Sequence, residues 1–172
     1  MRKMELEDLP QFAKAASGEI NRIYLHWSAG RYTPKGVDLT DYHILILSDG
    51  RILSRDDYTE VLAHTWRRNT GAIAVSLTGC YGATTNDLGE YAPTNAQIEA
   101  MAQVITVLCD ALGLPIDYEH VRTHSEQADE DDYGPATTCE RWDLWFLKNG
   151  DEPGTGGDTL RGKAIFYQQN GV

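Results

Sequence analysis

Cysteine is scarce: Cys80, Cys109 and Cys139 are an odd number, without the spacing of a disulfide framework. That excludes a disulfide-stapled scaffold and leaves free thiols, or one thiolate in a metal site. Positive charge is also short, with 15 Lys and Arg against 26 Asp and Glu and a formal net charge of −11. So acidic a chain is not drawn to nucleic acid or to an anionic membrane by bulk electrostatics. No apolar run approaches a membrane span, and Met1-Arg2-Lys3-Met4-Glu5-Leu6-Glu7 is not a signal peptide. The expectation is a soluble monomer made in the cytoplasm, which would need another agent to release it if it works outside. Internal repeats and domain linkers are missing as well, so residues 1–172 read as a single domain with an ordinary hydrophobic share of 41%.

The apolar segments that are present alternate in type. Residues 5–16 place Leu6, Leu9, Phe12, Ala13 and Ala16 on one face of a short helix. Ile23-Tyr24-Leu25-His26-Trp27 reads as a buried strand ending on a histidine, followed by a loop over 28–40. Residues 42–47 and Ile52-Leu53 form a hairpin about Ser48-Asp49-Gly50-Arg51. The polar stretch 55–71, with His64, Trp66 and Asn69, is a long loop of the kind that carries function. A further strand spans 72–79. Thr94 and Gln97 make a capping box for a helix that stops at Gly113-Leu114-Pro115. An edge strand near 116–122 delivers His124, residues 125–141 read as acidic and irregular, and Asp158 caps a final helix near 159–169. The fold class predicted is α/β, a mixed central sheet flanked by helices.

Two histidines at strand ends suggest a metal. A zinc hydrolase takes three protein ligands from His, Asp, Glu and Cys and keeps a fourth position open. His26 and His124 are two candidates, and the third lies within Cys139-Glu140-Arg141-Trp142-Asp143. None of these pairs has the i, i+4 spacing of a helical His-Glu-x-x-His site.

Several short motifs then occur in one order. They are Leu25-His26-Trp27-Ser28-Ala29-Gly30, Asp41-Tyr42-His43-Ile44 with Asp49-Gly50-Arg51-Ile52, Ala63-His64-Thr65 with Asn69, Ala72 to Gly79, Pro93 to Gln97, and Thr123-His124-Ser125-Glu126. In this order the chain, over about 20–145, resembles the zinc-dependent N-acetylmuramoyl-L-alanine amidases of the type-2 class, which includes phage lysozyme amidases and peptidoglycan recognition proteins. The resemblance implies a Zn2+ cofactor, a peptidoglycan or muropeptide substrate, and hydrolysis of the bond between N-acetylmuramic acid and L-alanine. It implies His26 and His124 as zinc ligands, Tyr42 as the partner of the attacking water, and Arg141 as the cation for the oxyanion. His64, Trp66, Asn69 and Trp27 become candidate substrate contacts.

The third ligand departs from the family pattern, because no Pro-Gly follows it here. Asp143 is preferred, since Arg141 then stands two residues before it, as a lysine does in the phage form; Cys139 is the alternative. A phage or prophage endolysin is the role expected. A cytosolic muropeptide-recycling amidase and a non-catalytic recognition module are the alternatives.

Overall fold

The computed structural model describes residues 1–84, 86–134 and 139–172, with the backbone alone at Cys139. The chain opens with β1 (Arg2–Met4), then a 3-10 turn into α1 (Leu9–Ala15). β2 (Arg22–Trp27), the hairpin strands β3 (Ile44–Ile46) and β4 (Ile52–Ser54), and β5 (Ala72–Leu77) follow. After α2 (Asn95–Leu112) come β6 (Val121–Thr123), α3 (His124–Glu130), α4 (Cys139–Trp142) and α5 (Gly156–Asn170).

The strands form one mixed sheet in the order β1-β4-β3-β5-β2-β6. The hairpin side is antiparallel and the β3-β5-β2-β6 side is parallel. This is the α/β architecture that the alternation of segments predicts. Strand pleating sorts the side chains of the parallel half. Ile23, Leu25 and Trp27 of β2 join Ile73, Val75 and Leu77 of β5 in the main core, with Ile98, Met101, Ile105 and Leu108 of α2. The alternate residues Tyr24, His26, Ala74 and Ser76 point the other way, still buried, beneath the 55–71 loop.

The α2 cap is as expected. Thr94 Oγ1 accepts the Gln97 N–H at 3.1 Å, and Gln97 Oε1 accepts the Thr94 N–H at 3.0 Å. The same Gln97 amide donates to the carbonyls of Ile46 and Thr78, which pins the helix to the ends of β3 and β5. Gly113 closes the helix in the left-handed region, φ 69°, where a side chain would be strained.

Several elements differ from the sequence reading: the edge strand expected near 116–122 is only Val121–Thr123, and the strand expected over 72–79 ends at Leu77. β1 was not expected; it exists because β4 offers it an edge to pair with. The strand read over 42–47 contracts to Ile44–Ile46. Part of the supposedly irregular 125–141 stretch is α3, capped by Thr123 and Glu126. Asp158 does not cap α5, which starts at Gly156, because its carboxylate is paired with Arg161 at 2.6 Å.

Candidate metal centre

The parallel strands bring their carboxyl ends to one edge of the sheet, the usual place for a site in an open α/β sheet. His26 is the fifth residue of β2, and His124 is the first residue of α3, directly after β6. The registers Leu25↔Thr123 and His26↔Ser76 set these positions side by side. The two imidazoles meet edge to face with centroids 4.8 Å apart, although 98 residues separate them in sequence.

Asp143 completes the group. Its Oδ2 lies 3.0 Å from His26 Nδ1 and 3.1 Å from His124 Nδ1. Its Oδ1 accepts the backbone N–H of Trp27, which leaves Oδ2 turned to the histidines. One donor atom from each of His26, His124 and Asp143 lies within 4.8 Å of the other two. Two imidazole nitrogens and one carboxylate oxygen are a donor set that suits a zinc ion with an open position. Burial lowers the pKa of His26, against the opposing pull of Asp143, so the ring stays neutral and keeps a lone pair to give. His124 is partly exposed, at 13% of its side chain, so the group is reachable from solvent on that side. The alternative third ligand, the Cys139 thiol, lies outside the described residues. Cys80 and Cys109 are buried free thiols.

α3 and α5 hold His124 from behind. Glu126 Oε2 accepts the Thr123 N–H at 2.9 Å, so this glutamate caps the helix that His124 begins. Arg161 of α5 grips both oxygens of Glu126, at 2.8 and 2.7 Å, and also the Val121 carbonyl. The approach is so close at Gly157 that a Cβ there would sit 2.2 Å from Glu126 Oε1.

The remaining candidates take varied places. Tyr42 packs its ring against His26 at 5.3 Å and donates to the Trp27 carbonyl at 3.4 Å. Burial, and then the charges of Asp143 and Asp38, push its phenol above the ordinary tyrosine range. Trp27 is 2% exposed, so its ring sits in the core; it serves the site through its backbone N–H and carbonyl. His64 is buried against His26 at 5.4 Å, and burial lowers its pKa to about 2. Asn69 Oδ1 accepts the N–H groups of both His64 and Thr65, so it clamps the loop. Trp66 is stacked on Tyr133 at 4.1 Å, with the Arg67 guanidinium 4.3 Å from its ring centre. Arg141 donates to Asp132 at 2.6 Å and to the Tyr133 carbonyl at 3.2 Å. The sequence reading passed over Thr65, whose hydroxyl faces His26 Nε2 at 3.4 Å. Its position beside His64, with Asn69 four residues on, was the available signal.

The family model for N-acetylmuramoyl-L-alanine amidase (Amidase_2) matches residues 16–142, most of the chain. The chain belongs to the N-acetylmuramoyl-L-alanine amidase family. No curated protein matches it. Among solved structures, this amidase-family chain is similar to the endolysin N-acetylmuramoyl-L-alanine amidase LysCS from Clostridium intestinale, with 17% identity, 69% of this chain and 74% of that chain covered, and a TM-score of 0.49. It is similar to the Ph2119 endolysin of Thermus scotoductus bacteriophage Ph2119 at 14% identity, covering 70% and 78%, with a TM-score of 0.49. It is also similar to the Drosophila peptidoglycan recognition protein SD at 14% identity, covering 71% and 76%, with a TM-score of 0.49. Among the described residues no helix is long and apolar enough to cross a membrane.

Proposed function

We propose that the chain is a zinc-dependent amidase that cuts the bond between N-acetylmuramic acid and L-alanine in peptidoglycan. The observation that carries the reading is the convergence of His26, His124 and Asp143 donors within 4.8 Å in a chain of this family. A recognition module that only binds peptidoglycan has no chemical need for that donor set.

His26, His124 and Asp143 would hold a zinc ion, which would supply a Lewis acid for the amide carbonyl and a bound water ionising near neutrality. The chain's own groups do the rest. The Trp27 N–H holds Asp143 Oδ1, which keeps Oδ2 turned toward the Nδ1 atoms of both histidines. Tyr42 stands against His26 with a phenol that burial keeps protonated, so its part is to orient and donate rather than to strip a proton. Arg141 would supply positive charge to the oxyanion as the amide carbonyl turns tetrahedral, after giving up Asp132.

We take intact cell wall as the substrate, in a lytic role of the phage endolysin kind. A cleft of about 650 Å³ beside Gly30, Tyr32, Tyr81 and Tyr91 is lined by none of the three donors; in this reading it holds the part of the substrate that lies beyond the scissile bond. The test pairs zinc analysis of the native protein with digestion of purified sacculi. The expected result is one zinc per chain, falling turbidity, and new N-terminal alanine. Zinc-free protein that binds sacculi without releasing alanine would make it a recognition module. Cleavage confined to soluble muropeptides would make it a recycling enzyme.

A further inference from the structure

His26 is fully buried, so each ring nitrogen needs a partner. Nδ1 faces the Asp143 carboxylate at 3.0 Å, on the side where the three donors converge. Nε2 faces Thr65 Oγ1 at 3.4 Å and has no other partner among the described residues. Thr65 Oγ1 lies in turn 2.9 Å from His64 Nδ1. A hydroxyl can accept one proton and donate another. Once Nδ1 gives its lone pair to a metal, a neutral His26 carries its proton on Nε2. The direction of the chain is then fixed: Nε2–H to Oγ1, and O–H to His64 Nδ1.

His64 shows what that hydroxyl is worth. The ring is buried, and its Nε2 has no hydrogen-bond partner among the described residues. An unsatisfied buried nitrogen costs stability. Among the described residues, the one hydrogen bond that the ring makes is to Thr65. Beneath both residues, Asn69 Oδ1 takes the His64 N–H at 3.2 Å and the Thr65 N–H at 2.7 Å, so the loop cannot slide.

We propose that Thr65 is a positioning residue for His26: its hydroxyl, oriented by His64, holds the imidazole with Nδ1 toward the metal. The proposal rests on the zinc reading above, and its test is built so that the two can fail separately. Thr65→Val keeps the shape and removes the hydroxyl, whereas Thr65→Ser keeps the hydroxyl. Zinc dissociation constants are measured on the full chain by competition with a chromophoric chelator. Thr65→Val weakens zinc binding about 10- to 100-fold, and Thr65→Ser stays within about threefold of the parent. A second readout needs no metal: in zinc-free protein the His26 Nε2 resonance, seen in nitrogen-15 imidazole spectra, shifts in Thr65→Val and returns in Thr65→Ser. Parental zinc affinity together with an unmoved resonance in Thr65→Val overturns the proposal. Equal losses in both variants also overturn it, because they trace the effect to loop packing. Should the parent chain take up no zinc, the zinc reading fails, and an unmoved resonance in Thr65→Val overturns the positioning role independently.

Discussion

The two faces of β2 make opposite demands on the chain. On one face Ile23 and Leu25 press into the main core, and van der Waals contact satisfies them. On the other, Tyr24 and His26 lie in a buried polar layer with His43, His64 and Thr65, where each ring needs a directed bond. The apolar face tolerates any well-filled volume, whereas the polar face depends on the placement of individual atoms. Damage to the first should therefore appear as lost stability, and damage to the second as lost metal or lost rate.

The sharpest break comes from the donor set. His26→Ala, His124→Ala and Asp143→Ala should each reduce zinc to background and abolish hydrolysis while the fold persists, measured by metal content and circular dichroism. Cys139→Ser should keep its zinc; if it loses the metal and Asp143→Ala retains it, the third ligand is the thiol.

Leu25→Ala should do the reverse. It opens a cavity on the apolar face, costing about 2–5 kcal/mol in urea unfolding. One zinc per folded chain should remain.

Acid should separate the faces without mutation. Burial holds His43 down to about 4 and His64 lower still. A histidine whose folded pKa lies below its unfolded value of about 6.5 binds its proton more readily when unfolded. The stability it gives is therefore fully present above pH 6.5 and is lost as pH falls. For zinc-free protein the urea midpoint should drop between pH 6.5 and 4, with His43 accounting for on the order of 3 kcal/mol by the end of that window. His43→Phe should reduce that slope, leaving the share that His64 gives; an unchanged slope would show that His43 is not one of its sources.

The mildest change is Tyr42→Phe. Zinc and stability should hold, while turnover falls on the order of 10²-fold if the phenol assists the reaction. Near-parental turnover would leave Tyr42 as a packing ring against His26.

The same contrast explains what could be read in the sequence. The apolar face writes itself as alternation, so β2, β5 and the α2 stripe were legible, as were the Thr94-Gln97 cap and the Asp49-Gly50 turn. His26 and His124 stood out because each lies near the end of an apolar run, one residue before the end of β2 and one residue after β6. β1 was hidden because two of its three residues are exposed and its pairing with β4 is a long-range event. α3 was hidden because Ser125, Glu126 and Gln127 are buried through hydrogen bonds, which leaves no apolar stripe to detect. Thr65 was marked only by its place beside His64 with Asn69 four residues on; its approach to His26 is a distance that only the folded loop creates.

The clasp of Arg161 on Glu126 has a consequence in time. His26, Thr65, His124 and Glu126 all leave the ribosome before α5, because α5 follows them in the chain. Until Arg161 arrives, Glu126 lacks both its cation and the helix it packs against, and the turn that carries His124 lacks its brace. The donor set therefore matures last, when the helix that closes it is synthesised. A chain that has packed β2 against β5 without α5 would still leave the turn before His124 without the Arg161–Glu126 brace.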